Sequence, residues 1–368
     1  MGRASRSEQF DPLEIGIVHV QQRCVRQAFL AGFDPYSGKS FEFRRECIRR
    51  RLELLSAVFG MDVLTYAILS NHLHVVLRSR PDIVQEWSDE QAATHWLQLF
   101  PGYRLEEHLA EPTPEQVQAL CQDTEKLLEV RVRLSDVSWF MRAFAEPIAR
   151  QANRQDGCTG CFWEGRFKAQ KIVDEAGLLA CAMYVDLNPI RAAMAESPEL
   201  SLFTSAYDRI QALQGQQIIA AALEPSPKTK QSPSPSQMPE VTRMARDQWL
   251  APLELNERGP LDAQISNTQV RASDKGFLNM SLSDYLKLLD WTGRQGRIDK
   301  SGKIPDSLAP ILERIGIDGT LWCDLVWNFK SYFGRSRALG KAENLKQDAA
   351  LHKRQWVQGQ RKAAACFT

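Results

Sequence analysis

The chain has 368 residues, 43% of them hydrophobic and 25% charged, with a formal net charge of +1. This balance fits a soluble globular protein of one large or two ordinary domains. No run approaches the roughly 20 apolar residues of a membrane span. The opening MGRASRSEQFDPLE lacks a secretory apolar core, so a cytoplasmic location is expected.

Residues 15–23 (IGIVHVQQR) are β-branched and bounded by polar residues, which predicts a strand. Residues 41–59 carry Phe41, Ile48, Leu52, Leu55 and Val58 at helical spacing, an amphipathic helix with an arginine-rich outer face. Over residues 39–51, Lys39, Arg44, Arg45, Arg49, Arg50 and Arg51 stand against Glu42 and Glu46, so a nearly neutral chain could still hold a local phosphate-binding face. A solvated helix face is the plainer reading. Residues 61–69 and 72–79 predict two strands joined by a tight Ser-Asn turn. The polar, Pro-punctuated segment 81–134 predicts one or two helices and reads as a possible insertion.

Residues 135–153 predict a helix with Trp139, Phe140, Phe144 and Ile148 inside, kinked or broken at Pro147. A GCTG turn and a strand over 167–173 follow. Asp174 is the expected N-cap of a helix that starts near Glu175 and meets Pro189, with a further helix over 190–195. The order β-α-β-β-α-β-α predicts an α+β fold, a ferredoxin-like antiparallel sheet with helices on one face. Residues 223–239 are rich in Pro, Ser and Lys, which predicts a linker over 216–245 between a first domain, 1–215, and a mainly helical accessory domain, 246–368.

The eight cysteines (Cys24, Cys47, Cys121, Cys158, Cys161, Cys181, Cys323 and Cys366) are scattered and expected to be reduced. Cys158 and Cys161 form one CxxC without a second pair, which reads as a turn rather than a zinc site.

Two constellations carry chemistry. His72 and His74 sit at i and i+2 of a predicted strand, so their imidazoles project from one face and can ligate one divalent cation. A pair of hydrogen-bonded histidines on a sheet face is the competing reading. Tyr184 and Asn188 are four residues apart on a predicted helix and share its face, though Pro189 places Asn188 at the helix end. A tyrosine hydroxyl is a competent nucleophile towards phosphorus, and an amide oxygen can complete a metal shell. A core tyrosine on a helix that stops at a proline is the alternative.

Three ordered blocks, ILSNHLHVVL, CFWEGRFKAQKI and MYVDLNPIRAAM, together with IVHVQQRCVRQAF and SLFTSAY, resemble the HUH transposases with one catalytic tyrosine. They are most like the REP-associated tyrosine transposases, over about residues 13–210. The resemblance implies that His72, His74 and Asn188 bind Mg²⁺ or Mn²⁺. It implies that Tyr184 attacks a phosphodiester of single-stranded or hairpin DNA, leaving a 5′-phosphotyrosine that is later rejoined. Arg23, Arg26, Trp163, Arg166, Lys168 and Arg191 are the implied DNA contacts, the basic and aromatic pairing suiting a single-strand platform, with Phe162 and Trp163 as core residues the competing reading. No GxxxxGK[ST] stretch offers a nucleotide triphosphate site. A domesticated DNA-binding protein of the same fold and a phosphodiesterase that uses water are the competing functions. No membrane partner is expected, and the sequence allows a monomer or a homodimer.

Overall fold

The computed structural model describes residues 10–25, 30–34, 38–100, 111–223, 246–255, 265–295, 309–314, 317, 319–334, 336–352 and 360–367. Strand β1 (Ile17–Arg23) leads through the short pair β2 (Phe33–Asp34) and β3 (Lys39–Ser40) into helix α1 (Phe43–Val58). The hairpin β4 (Met61–Ile68) and β5 (His72–Ser79) follows. After four helices come α6 (Val137–Gln155), β6 (Lys168–Ile172) and α7 (Glu175–Asp186). The sheet order is β4-β5-β1-β6-β7, where β7 is Ala338–Leu339. The first four strands are antiparallel and arranged as βαββαβ, as the sequence predicts. The fifth is a departure, because β7 pairs parallel to β6 and the sheet is mixed.

Both faces of the sheet are covered, whereas the sequence suggests helices on one. Val18, Val20, Tyr66, Leu73, Val75 and Leu77 pack with Ile48, Leu52 and Leu55 of α1 and Phe140, Phe144 and Ile148 of α6. On the other face, Ala67, Val76 and Ile172 pack with Leu178, Leu179 and Ala182 of α7. The same cluster takes in Leu288, Leu289, Phe329, Phe333 and Leu345 from the C-terminal part. β4 is buried at every position, which a strand covered on both faces requires.

The arginines of α1 do not form a solvent-facing stripe. Arg44, Arg45 and Arg49 are buried. Arg44 is paired with Asp156, and Arg49 Nε donates to Asp208 at 3.1 Å. Arg50 stays outside and pairs with Glu46. Arg51 explains why Pro147 fails to break α6. Proline lacks the N–H that would bond the carbonyl four residues earlier. That carbonyl, on Ala143, instead accepts from Arg51 Nε and Nη2 at 3.0 and 2.7 Å.

The 81–134 segment holds four helices, not one or two: α2 (Pro81–Glu86), α3 (Asp89–Leu99), α4 (Pro114–Gln122) and α5 (Thr124–Leu134). Capping boxes at Ser88 and Thr113 start α3 and α4. After α7, helix α8 (Asn188–Arg191) is shorter than predicted, and α9 (Ser205–Leu223) runs into the expected linker. The rest of that linker lies outside the described residues. No helix among the described residues is long and apolar enough to cross a membrane.

The part beyond residue 246 is tied to the first 223 residues by backbone and side chain. Ala251 N donates to Val63 O at 3.0 Å, and Trp249 and Leu250 enter the core beneath the sheet. Asp62 is buried and accepts from Arg78, Arg80 and Ser273. Asp174 caps α7 as predicted, its Oδ1 accepting from Gly177 N at 2.8 Å. Its Oδ2 accepts from Lys341 N and Asn344 Nδ2 at 2.6 and 2.8 Å. Gly177 permits this approach, because a Cβ there would stand 2.8 Å from Leu339 O.

Candidate active site

The sheet face that carries α7 gathers the four residues singled out as the centre of the site. β5 aligns His72 with Arg23 and His74 with Gln21 of β1, so both imidazoles rise from one face beside β1. Their ring centroids are 5.0 Å apart. α7 crosses this face and brings the Tyr184 ring to 5.3 Å from His74, edge to face. Asn188 begins α8, where Leu187 keeps helical angles and so holds it one turn beyond Tyr184 despite Pro189. Arg191 follows with its guanidinium 4.8 Å from the centre of the Tyr184 ring.

These side chains are buried and hold unspent polar atoms. His74 and Tyr184 are each 1% exposed, and Asn188 is 5% exposed. His72 Nε2, His74 Nε2, the Tyr184 hydroxyl, Asn188 Nδ2 and Arg191 Nε have no hydrogen-bond partner among the described residues. Orphaned buried polar atoms are costly and uncommon in native proteins, and they concentrate where a ligand completes them.

The electrostatics suit ligation. Burial pushes the His72 pKa down to about 4, assisted by Lys330 and Arg23. Burial also holds His74 well below the ordinary histidine value, with His19 and His72 adding to the effect. Both rings are therefore neutral near pH 7, the form that offers a lone pair. His72 Nδ1 lies 2.6 Å from Asn71 Oδ1, and with the amide in this orientation Nδ1 carries the proton and Nε2 the lone pair. Burial raises the Tyr184 pKa, opposed by the Asn188 amide and the Arg191 guanidinium, which approach its hydroxyl without the geometry of a formed hydrogen bond.

Two imidazole nitrogens and an amide fit a divalent cation of the Mg²⁺, Mn²⁺ or Zn²⁺ kind. No group of three or more His, Cys, Asp or Glu side chains among the described residues is placed to hold a metal ion. A cation here would therefore rest on His72, His74 and the Asn188 amide, whose oxygen and nitrogen exchange by rotation.

No family model matches the sequence, and no curated protein matches it. Among solved structures, one similar chain is a REP-associated tyrosine transposase bound to a REP hairpin. The similarity has a TM-score of 0.30 at 10% identity, over 60% of this chain and 88% of that one.

Of the residues suggested as DNA contacts, Arg23, Lys168 and Arg191 lie near enough to Lys330 to act on its charge, whereas Trp163 is engaged with α6. Arg23 ends β1 beside His72, with its side chain largely exposed, and Lys168 opens β6 and is exposed. Arg166 is exposed in the turn before it, and Arg26 lies outside the described residues. Arg191 Nη2 donates to Trp327 O at 2.5 Å. Trp163 is half-buried, with its Nε1 donating to Ala145 O at 2.9 Å, and packs edge to face on Phe162 at 4.8 Å. Its ring is thus anchored to α6.

Four neighbours went unnoticed in the sequence. His19 lies nearly coplanar with His74, edge to edge, with centroids 5.0 Å apart, and Gln170 lies opposite His19 in the β1–β6 register. Phe329 stacks on Tyr184 at 4.3 Å and 15°. Lys330 is held below the ordinary lysine value by burial and by Arg191, Arg23 and Lys168. The only signal for His19 was its place in the first strand, two residues from Gln21 on the same face. Phe329 and Lys330 carry no local signal, since they reach the site from more than 130 positions beyond Arg191.

Proposed function

We propose that the chain is a metal-dependent transposase of the single-tyrosine kind, which cuts and rejoins single-stranded DNA at hairpin-forming sequences. The observation that carries this reading is the convergence of unpaired His72 Nε2, His74 Nε2 and Asn188 Nδ2 beside the unpaired hydroxyl of buried Tyr184. A cation held by His72, His74 and Asn188 would polarise the scissile phosphate and stabilise charge on its non-bridging oxygens.

Tyr184 Oη attacks phosphorus. The Oη–P bond forms, and the bond from phosphorus to the 3′-oxygen breaks. The phenol loses one proton and the leaving 3′-oxygen gains one, so the exchange is proton-neutral overall. The phosphotyrosine keeps the bond energy, and the reverse attack by a 3′-hydroxyl rejoins the strand. Arg191, 4.8 Å from the ring centre, supports the developing phenolate. Arg191, Arg23 and Lys168 each act against the charge of Lys330, and a phosphodiester backbone at the mouth of the site would relieve that repulsion.

One observation favours a second reading, DNA binding with little turnover: Tyr184 is 1% exposed under Phe329. The two separate with end-labelled hairpin oligonucleotides from the flanks of the protein's own gene, incubated with Mg²⁺ or Mn²⁺. The expected product is a band of protein joined to DNA, lost with EDTA and reduced at least ~100-fold in Tyr184→Phe. Retardation of the DNA persists in that variant. Retarded but uncut DNA with the wild-type protein supports binding without turnover. Cleavage without an attached protein points to water as the nucleophile.

A further inference from the structure

Asn71 sets the proton of His72, but nothing on β5 does the same for His74. The partners of His74 lead away from the strand. His74 Nδ1 is 2.8 Å from His19 Nε2, and His19 Nδ1 is 3.2 Å from Gln170 Oε1. The Gln170 amide nitrogen lies 2.6 Å from Phe333 O and 2.8 Å from Ser336 O.

The direction of every bond in this chain follows from its far end. A backbone carbonyl can only accept. Phe333 O and Ser336 O therefore require the donating nitrogen of Gln170, and that fixes the orientation of the amide. Gln170 Oε1 then faces His19 and accepts, so His19 carries its proton on Nδ1. His19 is buried and has only Gln170 and His74 as side-chain partners, with no carboxylate to balance a charge, so the ring is neutral and its Nε2 holds a lone pair. That lone pair accepts from His74, which must carry its proton on Nδ1. His74 Nε2, the atom with no partner, is left with its lone pair directed away from the relay.

We propose that His19 and Gln170 are positioning residues that hold His74 in the Nδ1–H tautomer. The relay is anchored on two backbone carbonyls from the C-terminal part of the chain. It keeps the Nε2 lone pair of His74 ready for a ligand. Its value to catalysis rests on the metal reading given above, since partners that fix a ligand's tautomer typically contribute 10–100-fold in metal affinity.

The test uses the full chain labelled with ¹⁵N-histidine, freed of metal and held near pH 7.5. Two-bond ¹H–¹⁵N correlation spectra distinguish the two tautomers of each ring. The chain has six histidines, and the His74 signals are assigned by their loss in His74→Gln. Mn²⁺ affinity is measured on the same samples by the paramagnetic resonance of free Mn²⁺. Wild-type His74 and His19 are expected as Nδ1–H forms. In Gln170→Leu, of similar size but with no acceptor, His19 is released to protonate at Nε2, and His74 shifts substantially to Nε2–H. Mn²⁺ binding then weakens about 10-fold or more. A wild-type His74 protonated on Nε2 overturns the relay, whether or not the variant folds. So does a folded Gln170→Leu with an unshifted His74 and unchanged Mn²⁺ affinity. An Nδ1–H His74 that shifts in the variant, in a protein that binds no Mn²⁺, upholds the relay and removes the metal reading.

Discussion

At the residue scale, the site depends on histidines kept neutral by burial. His19, His72 and His95 are pushed down to about 4, and His74 lies well below its ordinary value. An unfolded histidine titrates near 6.5. Above that pH the rings are neutral in both states and cost nothing. As pH falls from 6.5 towards 4, the unfolded chain takes up protons that the folded one refuses, so stability falls with pH. Each proton of difference gives a slope of about 1.4 kcal/mol per pH unit. Urea unfolding of EDTA-treated protein should show midpoints that drop steadily between pH 6.5 and 4.5. His95→Phe, whose site beside Trp87 lies away from His72 and His74, should make that slope shallower. A stability that stays flat from pH 7 to 5 would contradict the burial argument.

At the scale of elements, the five-residue helix Phe329–Phe333 covers Tyr184. Phe329 lies parallel to Tyr184, and such an aromatic pair contributes about 1 kcal/mol beyond burial. Phe329→Ala should lower stability by about 3 kcal/mol and uncover the phenol. Tetranitromethane should leave Tyr184 unmodified in the wild type and nitrate it in the variant, as read by mass spectrometry. The yield of protein–DNA adduct should rise several-fold. Equal nitration of both proteins would show that Phe329 does not guard the ring. α6 makes a related point about elements: Pro147 looks like a break in isolation, yet Arg51 from α1 satisfies the freed carbonyl and the helix continues.

At the scale of the whole molecule, the C-terminal part completes the core of the first. Trp249 and Trp322 are among the largest fully buried side chains, and β7 extends the sheet. Arg78 Nη1 donates to Gly276 O at 2.8 Å while its Nε holds Asp62, so β5 and the later segment share one buried network. A chain truncated to residues 1–223 should therefore bind a hydrophobic dye and lose its near-ultraviolet circular dichroism, while the full chain unfolds in one thermal transition. A truncated chain with native-like spectra would show that the first 223 residues fold independently.

The sequence by itself determined the βαββαβ order, the side-by-side placement of His72 and His74, the Asp174 cap and the shared turn of Tyr184 and Asn188. Each follows from local rules: strand and helix periods, and a capping side chain within three residues of its donor. It could not determine that Arg44 and Arg49 are buried, because their partners Asp156 and Asp208 lie more than 100 positions away. It could not show that the sheet is covered on both faces, that Phe329 covers the tyrosine, or that Gln170 and His19 set a proton on His74. Those outcomes depend on which distant atoms meet in a dense core, and periodicity in the chain carries no record of them.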